Sequence, residues 1–215
     1  MAQRPVFVPL KKAPFVDVFM PEFTRNGGFA LSQKQKNITA LHQAFCRRFP
    51  ERKVLEISSK SLQELGVKLS AFHLQKYVPS LDKSVPVECV FQGGKVFSAG
   101  GPYTELYRGT ARDAKRDPRL SQSGMLRSFY YEGHQFPLKP TTVFYDWLYI
   151  NALLENPALA EAVLEYDAFT DIEFNPDRSI NCQAGAAALF VALSRRGLAE
   201  QCREFDTFIQ LINTY

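Results

Sequence analysis

The most informative part of the sequence is an apolar segment near its middle, Val87-Glu88-Cys89-Val90-Phe91-Gln92-Gly93-Gly94-Lys95-Val96-Phe97. At 100° per residue, Gln92 lies about 40° and Lys95 about 20° from Glu88 around a helix, so the three polar side chains form one narrow stripe. Every other residue of the segment is apolar, cysteine or glycine. Because a helix that is apolar on nearly all sides is buried, we expect a central helix that holds a carboxylate, an amide and an amine inside the protein.

Two interpretations of this stripe remain open. Burying an unpaired charge has a prohibitive free-energy cost. Glu88 and Lys95 therefore either form an ion pair with each other inside the core or face a cavity. Gly93-Gly94 would cost roughly 1 kcal/mol per glycine inside a helix, which indicates that something approaches the backbone closely there. A cavity that holds both groups suits acid–base chemistry, and a desolvated lysine can attack an aldehyde-like carbon.

Residues 1–53 are predicted to form a basic N-terminal extension of short strands plus one helix. Ser32 followed by Gln35 resembles a capping box at the start of that helix, and His42 is expected on its exposed face. Residues 1–60 hold 11 Lys/Arg against 4 Asp/Glu, whereas residues 141–215 hold 4 against 11. This asymmetry indicates either a basic face that meets a polyanion or a merely solvated surface.

Residues 54–215 are predicted to form a single helix-rich α+β domain with a few short strands. A buried strand at 54–57 runs directly into a polar turn, Ser58-Ser59-Lys60-Ser61. Ser61 with Glu64 is a second capping-box pattern, and a helix N-terminus at this place either binds a phosphate or is simply capped.

Three elements are predicted in the C-terminal part of this domain. A helix follows Thr142, and another begins at Asn181. Between them the stretch 168–174 alternates like a strand, which puts Asp171 and Glu173 on its polar face. The alternation does not separate the roles of these two carboxylates.

Composition narrows the class of protein. The longest apolar run, residues 184–193, is far shorter than the roughly 20 residues of a membrane-spanning helix, so we expect no membrane association. Four widely spaced cysteines fit a reducing cytoplasm rather than a disulfide scaffold or a metal site. No common nucleotide-binding or hydrolase motif is present, and we predict neither a metal nor a cofactor.

The pattern Glu88-x-x-x-Gln92-x-x-Lys95 resembles the Ser-Glu-x-x-x-Gln-x-x-Lys helix of the NADAR family, the NAD- and ADP-ribose-associated N-glycosidases related to YbiA. Further segments look like the subgroup of NADAR antitoxins that are paired with DarT-type toxins: Ser58 to Ser61, Gly66 to Phe72, Phe144 to Tyr149, and Phe169 to Asn175. Together these matches cover most of residues 54–196. Val87 stands where the family usually has serine.

The resemblance implies a hydrolase that removes ADP-ribose from guanine bases in DNA and so reverses a DarT-type toxin. It implies Glu88 as general acid/base, Lys95 as the nucleophile that forms a transient imine with the ribose, and Asp171 as a third catalytic group. Substrate contacts are expected from Asn181, which resembles the asparagine that begins the family's last conserved helix, and from seven polar residues of these segments: Ser58, Ser59, Lys60, Ser61, Ser70, Gln92 and Glu173. The partners implied are ADP-ribosylated DNA, tracked by the basic N-terminal helix, and a DarT-type toxin.

Two other functions fit the same residues. The protein could be a non-catalytic module that binds ADP-ribosylated DNA or the toxin, with a structural Glu/Lys stripe. It could also be an N-glycosidase that acts on a small phosphorylated metabolite such as a riboflavin-pathway intermediate. The positive N-terminal segment favours nucleic acid over a metabolite.

Overall fold

The computed structural model describes residues 1–177 and 180–214. Its strands β1 to β11 are Ala2–Gln3, Val6–Pro9, Val16–Phe19, Glu22–Phe23, Val54–Glu56, Gln75–Val78, Lys83–Pro86, Lys95–Phe97, Leu126–Tyr131, His134–Phe136 and Ala168–Thr170. Its helices α1 to α9 are Leu31–Cys46, Glu64–Lys68, Val87–Gly93, Ala111–Arg116, Arg119–Gln122, Val143–Leu154, Pro157–Val163, Gln183–Ser194 and Phe205–Thr214. The predicted α+β class is confirmed. Within the described residues, every helix is too short or too polar to span a lipid bilayer.

A four-stranded sheet joins the N-terminal segment to the rest of the chain. Its strand order is β3-β2-β11-β5, and β11 pairs antiparallel with β2 but parallel with β5. Val6 and Val8 of β2 belong to a hydrophobic cluster with residues of α1. Phe7, between them, packs against α8, where its ring lies 3.4 Å from the place that a Cβ atom on Gly185 would occupy. Successive residues of a strand point to opposite faces, so the sheet lies between α1 and α8.

The main hydrophobic core surrounds α3, α6 and α8. All seven residues of α3 are buried, as the apolar composition of this segment predicts. Stacked aromatic rings fill the space beside it, with the Phe129 ring centroid 5.3 Å from that of Phe91 and 4.6 Å from that of Phe144. The core therefore fixes the orientation of α3, whose polar residues point out of it.

The ends of two elements differ from the sequence predictions. Helix α1 begins at Leu31 after Ala30, without a side-chain cap, so the Ser32 capping box is wrong. The strand predicted over 168–174 ends at Thr170. There the backbone N–H of Ile172 donates to the buried Glu56 carboxylate at 2.8 Å. This bond to a side chain takes the place of a further backbone hydrogen bond between strands.

The glycine pair ends helix α3 and turns the chain into β8. Consequently Lys95 is the first residue of a strand, not the last polar residue of a helical stripe. The Tyr103 N–H donates to the Gly93 carbonyl and the Tyr130 N–H to the Gly94 carbonyl, both at 2.7 Å. The close approach expected at the glycines is thus made by the protein's own backbone and by the Tyr107 ring.

Replacing Gly93 by alanine is expected to destabilise the protein by about 1–3 kcal/mol, because overpacking a close contact forces the backbone to shift. A Cβ there would lie 2.6 Å from Tyr107 Cε1 and 2.8 Å from the Tyr103 carbonyl oxygen. The free energy of unfolding in urea measures the effect. Gly109→Ala is the matched control, since its nearest neighbour is 3.6 Å away; equal stability of the two variants would contradict the packing argument.

Candidate functional site

A cleft of about 790 Å³ opens beside α3. Ten of the side chains predicted from the sequence line it: Ser58, Ser59, Lys60, Ser70, Glu88, Gln92, Lys95, Asp171, Glu173 and Asn181. Ser61 is the exception and does not line the cleft. The volume lies within the range of small-molecule sites, about 300–1,000 Å³.

The backbone of Ala71 connects the two parts of the lining. The Ala71 N–H donates to Gln183 Oε1 at 2.7 Å, and the Ala71 carbonyl accepts from the Glu88 N–H at 2.9 Å. Gln183 also donates to Asp171 Oδ2 at 2.9 Å. One short run of backbone therefore holds the start of α3 and the start of α8 at a fixed separation, with Glu88 on one side and Asp171 on the other.

Glu88 and Gln92 are neighbours on the buried helix α3. Gln92 Nε2 donates to Glu88 Oε1 at 2.9 Å, and the Lys115 ammonium lies 3.7 Å from the same oxygen. Gln92 Oε1 is buried and, among the described residues, has no hydrogen-bond donor. A buried carbonyl oxygen without a donor is costly, so this atom is free to accept a hydrogen bond from a ligand in the cleft.

Lys95 reaches the cleft from the start of β8. Its ammonium lies 4.8 Å from the centre of the Phe91 ring, and no described residue offers it a hydrogen-bond acceptor or an ion-pair partner. The two side chains therefore do not form the buried Glu88–Lys95 ion pair that was the alternative interpretation of the stripe. Burial lowers the pKa of the Lys95 amine, opposed by the charge of Glu88 and assisted by that of Lys115.

The polar turn after β5 is not the N-terminus of a helix, contrary to the prediction. Helix α2 begins only at Glu64 and has no side-chain cap. Ser61 instead accepts a hydrogen bond from the N–H of Gln63 at 3.2 Å, so its capping box with Glu64 is wrong. Ser58 donates to Glu56 at 2.7 Å and accepts from the Lys60 N–H at 3.1 Å, which holds the turn against the cleft.

Ser70 and Asn181 lie at two further edges of the cleft. The Ser70 hydroxyl donates to the Val67 carbonyl at 2.7 Å and lies 2.8 Å from His73 Nδ1. Its hydroxyl proton is therefore already used inside the protein. Asn181 is half-buried and precedes the helix rather than opening it, because α8 begins at Gln183.

The structure distinguishes the two carboxyl groups, Asp171 and Glu173, by their burial and their partners. Asp171 is 7% exposed, whereas the Glu173 side chain is 43% exposed and pairs with Lys34 at 3.0 Å. Burial, together with the charge of Glu56, raises the pKa of Asp171 to about 7, against hydrogen bonds from Gln183 and from the Glu173 N–H. Asp171 thus changes its protonation state near neutral pH.

Glu56, which the sequence analysis missed, lies directly behind this carboxyl group. It is 2% exposed and accepts hydrogen bonds from Ser58 at 2.7 Å, from Thr170 at 2.6 Å and from the Ile172 N–H. Burial raises its pKa despite these three donors. The signal in the sequence was a lone glutamate inside the apolar strand Val54–Ile57.

His42 continues this buried network and is not the surface residue that was expected. Its Nε2 lies 2.8 Å from Thr170 Oγ1. Because the Thr170 hydroxyl already donates to Glu56, the imidazole is the donor in this contact. Burial lowers the pKa of His42 to about 4, so the ring is neutral at pH 7.

The cleft is positively charged. Among the described residues its lining holds the cationic side chains of Lys60, Arg112, Lys115 and Arg116, together with the Lys95 amine, whose pKa is lowered. Against these stand three carboxyl groups, of which Glu173 is paired with Lys34 and Asp171 has a raised pKa. The arginines come from α4, which the sequence analysis did not consider. This balance favours an anionic ligand.

A family model matches the chain over residues 2–215, essentially its whole length; its description is DarT1-associated NADAR antitoxin. No curated protein is similar enough to the chain to count as a match. The family match includes the N-terminal strands as well as every residue of the cleft. The chain therefore belongs to the DarT1-associated NADAR antitoxin family.

Proposed function

We propose that this protein is a hydrolase that removes ADP-ribose from guanine bases in DNA and thereby acts as the antitoxin of a DarT-type toxin. The family supports the antitoxin role. The cleft supports the substrate class, since its volume suits a dinucleotide-sized ligand such as ADP-ribose and Lys60 in its lining offers a cation to the diphosphate. The observation that carries the proposal is the Lys95 amine, which has no ion-pair partner among the described residues and whose pKa is influenced by the nearby Glu88 carboxyl group.

The proposed reaction has two steps. In the first, the neutral Lys95 amine forms a bond to the ribose C1 carbon while the bond from C1 to the guanine nitrogen breaks, and Glu88 gives its proton to that nitrogen. The Lys95 nitrogen then loses a proton to the Glu88 carboxylate, and its lone pair opens the sugar ring to a protonated imine while Glu88 passes that proton to the departing ring oxygen. In the second, water adds to C1 and gives a proton to Glu88, which passes it to Nζ. The C1–Nζ bond breaks as the new hydroxyl at C1 returns a proton to Glu88. Lysine and free ADP-ribose result, without any change of oxidation state.

The other polar groups have binding roles in this proposal. Gln92 Oε1, which lacks a donor in the described structure, accepts a hydrogen bond from a ribose hydroxyl. Asp171 holds a second hydroxyl of the ring that opens. Ser59 and Lys60, in the turn after β5, contact the diphosphate.

The test follows the mass of an oligonucleotide that carries one ADP-ribosylated guanine. We expect the protein to return it to the mass of the unmodified strand and to release free ADP-ribose. Glu88→Gln should slow this reaction by about 10²- to 10⁴-fold, the usual contribution of a general acid/base. The amide keeps the shape of the side chain and retains an oxygen for the hydrogen bond from Gln92, so folding is preserved.

Other outcomes would select another function. An adduct that persists while the protein binds the modified strand tightly would show a non-catalytic binder. Cleavage of a phosphorylated riboflavin-pathway intermediate, with the DNA adduct untouched, would show a metabolite N-glycosidase. Equal rates for wild type and Glu88→Gln would leave hydrolysis standing but remove Glu88 from the mechanism.

A further inference from the structure

A group of positive side chains stands at the mouth of the cleft, apart from the residues proposed for catalysis. Arg112, Lys115 and Arg116 of α4 all line the cleft and are all exposed. We call them the α4 ridge. Arg112 and Arg116 are one helical turn apart, a spacing at which like charges destabilise a helix. Among the described residues, neither guanidinium has an ion-pair or hydrogen-bond partner.

We propose that the α4 ridge binds backbone phosphates of the DNA strand that carries the modified guanine. This inference rests on the proposed function, which supplies the strand. Arginine matches phosphate oxygens with two parallel hydrogen bonds, and unneutralised cations at an exposed rim are what a polyanion requires.

The position of the ridge places it beside the proposed bond cleavage. Lys115 Nζ lies 3.7 Å from Glu88 Oε1 and 5.2 Å from the centre of the Phe72 ring. Its side chain is nevertheless 59% exposed. The ridge therefore starts at the general acid and extends into solvent. A modified base can reach into the cleft, but the strand that carries it is too large to follow and must pass along the mouth.

Helix α1, where the sequence analysis expected the nucleic-acid contacts, is less suited to them. Lys34 is paired with Glu173 at 3.0 Å. The Arg48 guanidinium lies over two rings, 5.3 Å from the centre of Phe19 and 5.8 Å from that of Phe49. Lys34, and Arg48 just beyond the end of α1, are thus already engaged, whereas Arg112 and Arg116 of α4 have no such partner among the described residues.

The ridge is assigned to the strand rather than to the diphosphate of ADP-ribose. The diphosphate accompanies the sugar into the cleft, where Lys60 is half-buried. Arg112 and Arg116 are exposed at the rim. The two sources of phosphate can be separated experimentally, because free ADP-ribose and an unmodified oligonucleotide each supply only one.

The experiment measures binding of a fluorescein-labelled, unmodified single-stranded oligonucleotide to the full chain as a function of salt concentration. Each phosphate contact contributes about 0.7 to the slope of log K against log salt for a single strand. Arg112→Gln combined with Arg116→Gln should therefore flatten the slope by about 1.4. The same variant should bind free ADP-ribose within about twofold of wild type, since a difference of that size is under 0.5 kcal/mol.

The matched control removes two exposed cations, Lys36 of α1 and Arg47 directly after its end, through Lys36→Gln combined with Arg47→Gln, and should leave the slope unchanged. Thermal unfolding checks that both double variants are folded. The proposal is overturned by any one of three results: no salt-dependent binding of the oligonucleotide by wild type, an unchanged slope in the α4 variant, or an equal loss of slope in the α1 variant. Loss of ADP-ribose binding in the α4 variant would reassign the ridge to the diphosphate.

Failure of this inference is distinguishable from failure of the proposed function. Adduct removal by wild type together with an unchanged slope in the α4 variant rejects the ridge and retains the hydrolase. A flattened slope in the α4 variant without adduct removal by wild type retains the DNA-binding surface and rejects the hydrolase.

Discussion

Replacing Lys95 by arginine is expected to slow the removal of ADP-ribose from DNA by more than about 10³-fold, since the loss of a covalent nucleophile closes the stepwise route altogether. The substitution keeps a positive charge but supplies no nucleophile, because a guanidinium does not lose its proton in proteins. A purely electrostatic role for Lys95 would survive it. The rate is measured from the mass of the modified oligonucleotide under single-turnover conditions.

Borohydride provides an independent readout of the same residue. Reduction of the imine during turnover should leave ADP-ribose attached to wild-type protein, and peptide mapping should locate it at Lys95. The Lys95→Arg variant should acquire no such mass. An active wild type from which no adduct can be trapped would contradict the imine while leaving hydrolysis intact.

Asp171 is expected to control the pH dependence of the reaction. Its pKa is raised to about 7 by burial and by Glu56, so the group is protonated below neutrality and ionised above it. The ionised form accepts the hydrogen bond from the sugar, and Lys95 must be neutral to attack, whereas Glu88 must carry the proton that it gives to the guanine. The contribution of Asp171 to the pH profile should therefore be a rise in rate through about pH 7. Asp171→Asn should lower the plateau by about 10- to 100-fold, the effect of losing one hydrogen bond to a charged group, and remove this inflection.

Glu56→Gln tests the same assignment from behind the cleft. The amide retains an acceptor oxygen for Ser58 and Ile172 but removes the negative charge that disfavours ionisation of Asp171. The inflection should move to lower pH. If the pKa falls by about one, the fraction of ionised Asp171 at pH 6 rises about fivefold. An inflection that stays in place would show that it does not report Asp171. The free energy of unfolding of the variant is measured alongside as the control for packing.

The same buried groups set how stability depends on pH. Asp171 binds its proton more tightly in the folded state. Its contribution to the free energy of unfolding is therefore lost as pH rises from its ordinary pKa near 4 to about 7. His42 acts in the opposite sense. Its pKa is lowered to about 4, so its contribution to the free energy of unfolding is lost as pH falls from 6.5 towards 4. The two effects oppose each other between about pH 4 and pH 6.5. Burial also raises the pKa of Asp146 to about 7, so Asp146 adds to the effect of Asp171.

Helical periodicity identified Glu88 and Gln92 correctly as neighbours on a buried helix, because that pattern depends on residues four apart in one element. The same arithmetic gave the wrong element for Lys95. Periodicity continues on paper past Gly93, whereas the chain leaves the helix there because Tyr103 and Tyr130 bond to the glycine carbonyls. Lys95 nevertheless faces the cleft, since β8 starts directly at the end of α3.

Local patterns in the amino-acid sequence were enough for the α+β class, for the burial of α3 and for the residue types of the site, because each depends on neighbours within one segment. The sheet that unites residues 6–9 with residues 168–170 depends on contacts between distant parts of the chain. So do the placement of Glu56 behind Asp171 and of the α4 cations beside Glu88. No local pattern encodes which segments meet, because that choice is made when the whole apolar surface is buried at once. Short segments of the sequence therefore determine which reactive side chains the site contains. The charge balance and the protonation states of the site depend on how those segments pack together.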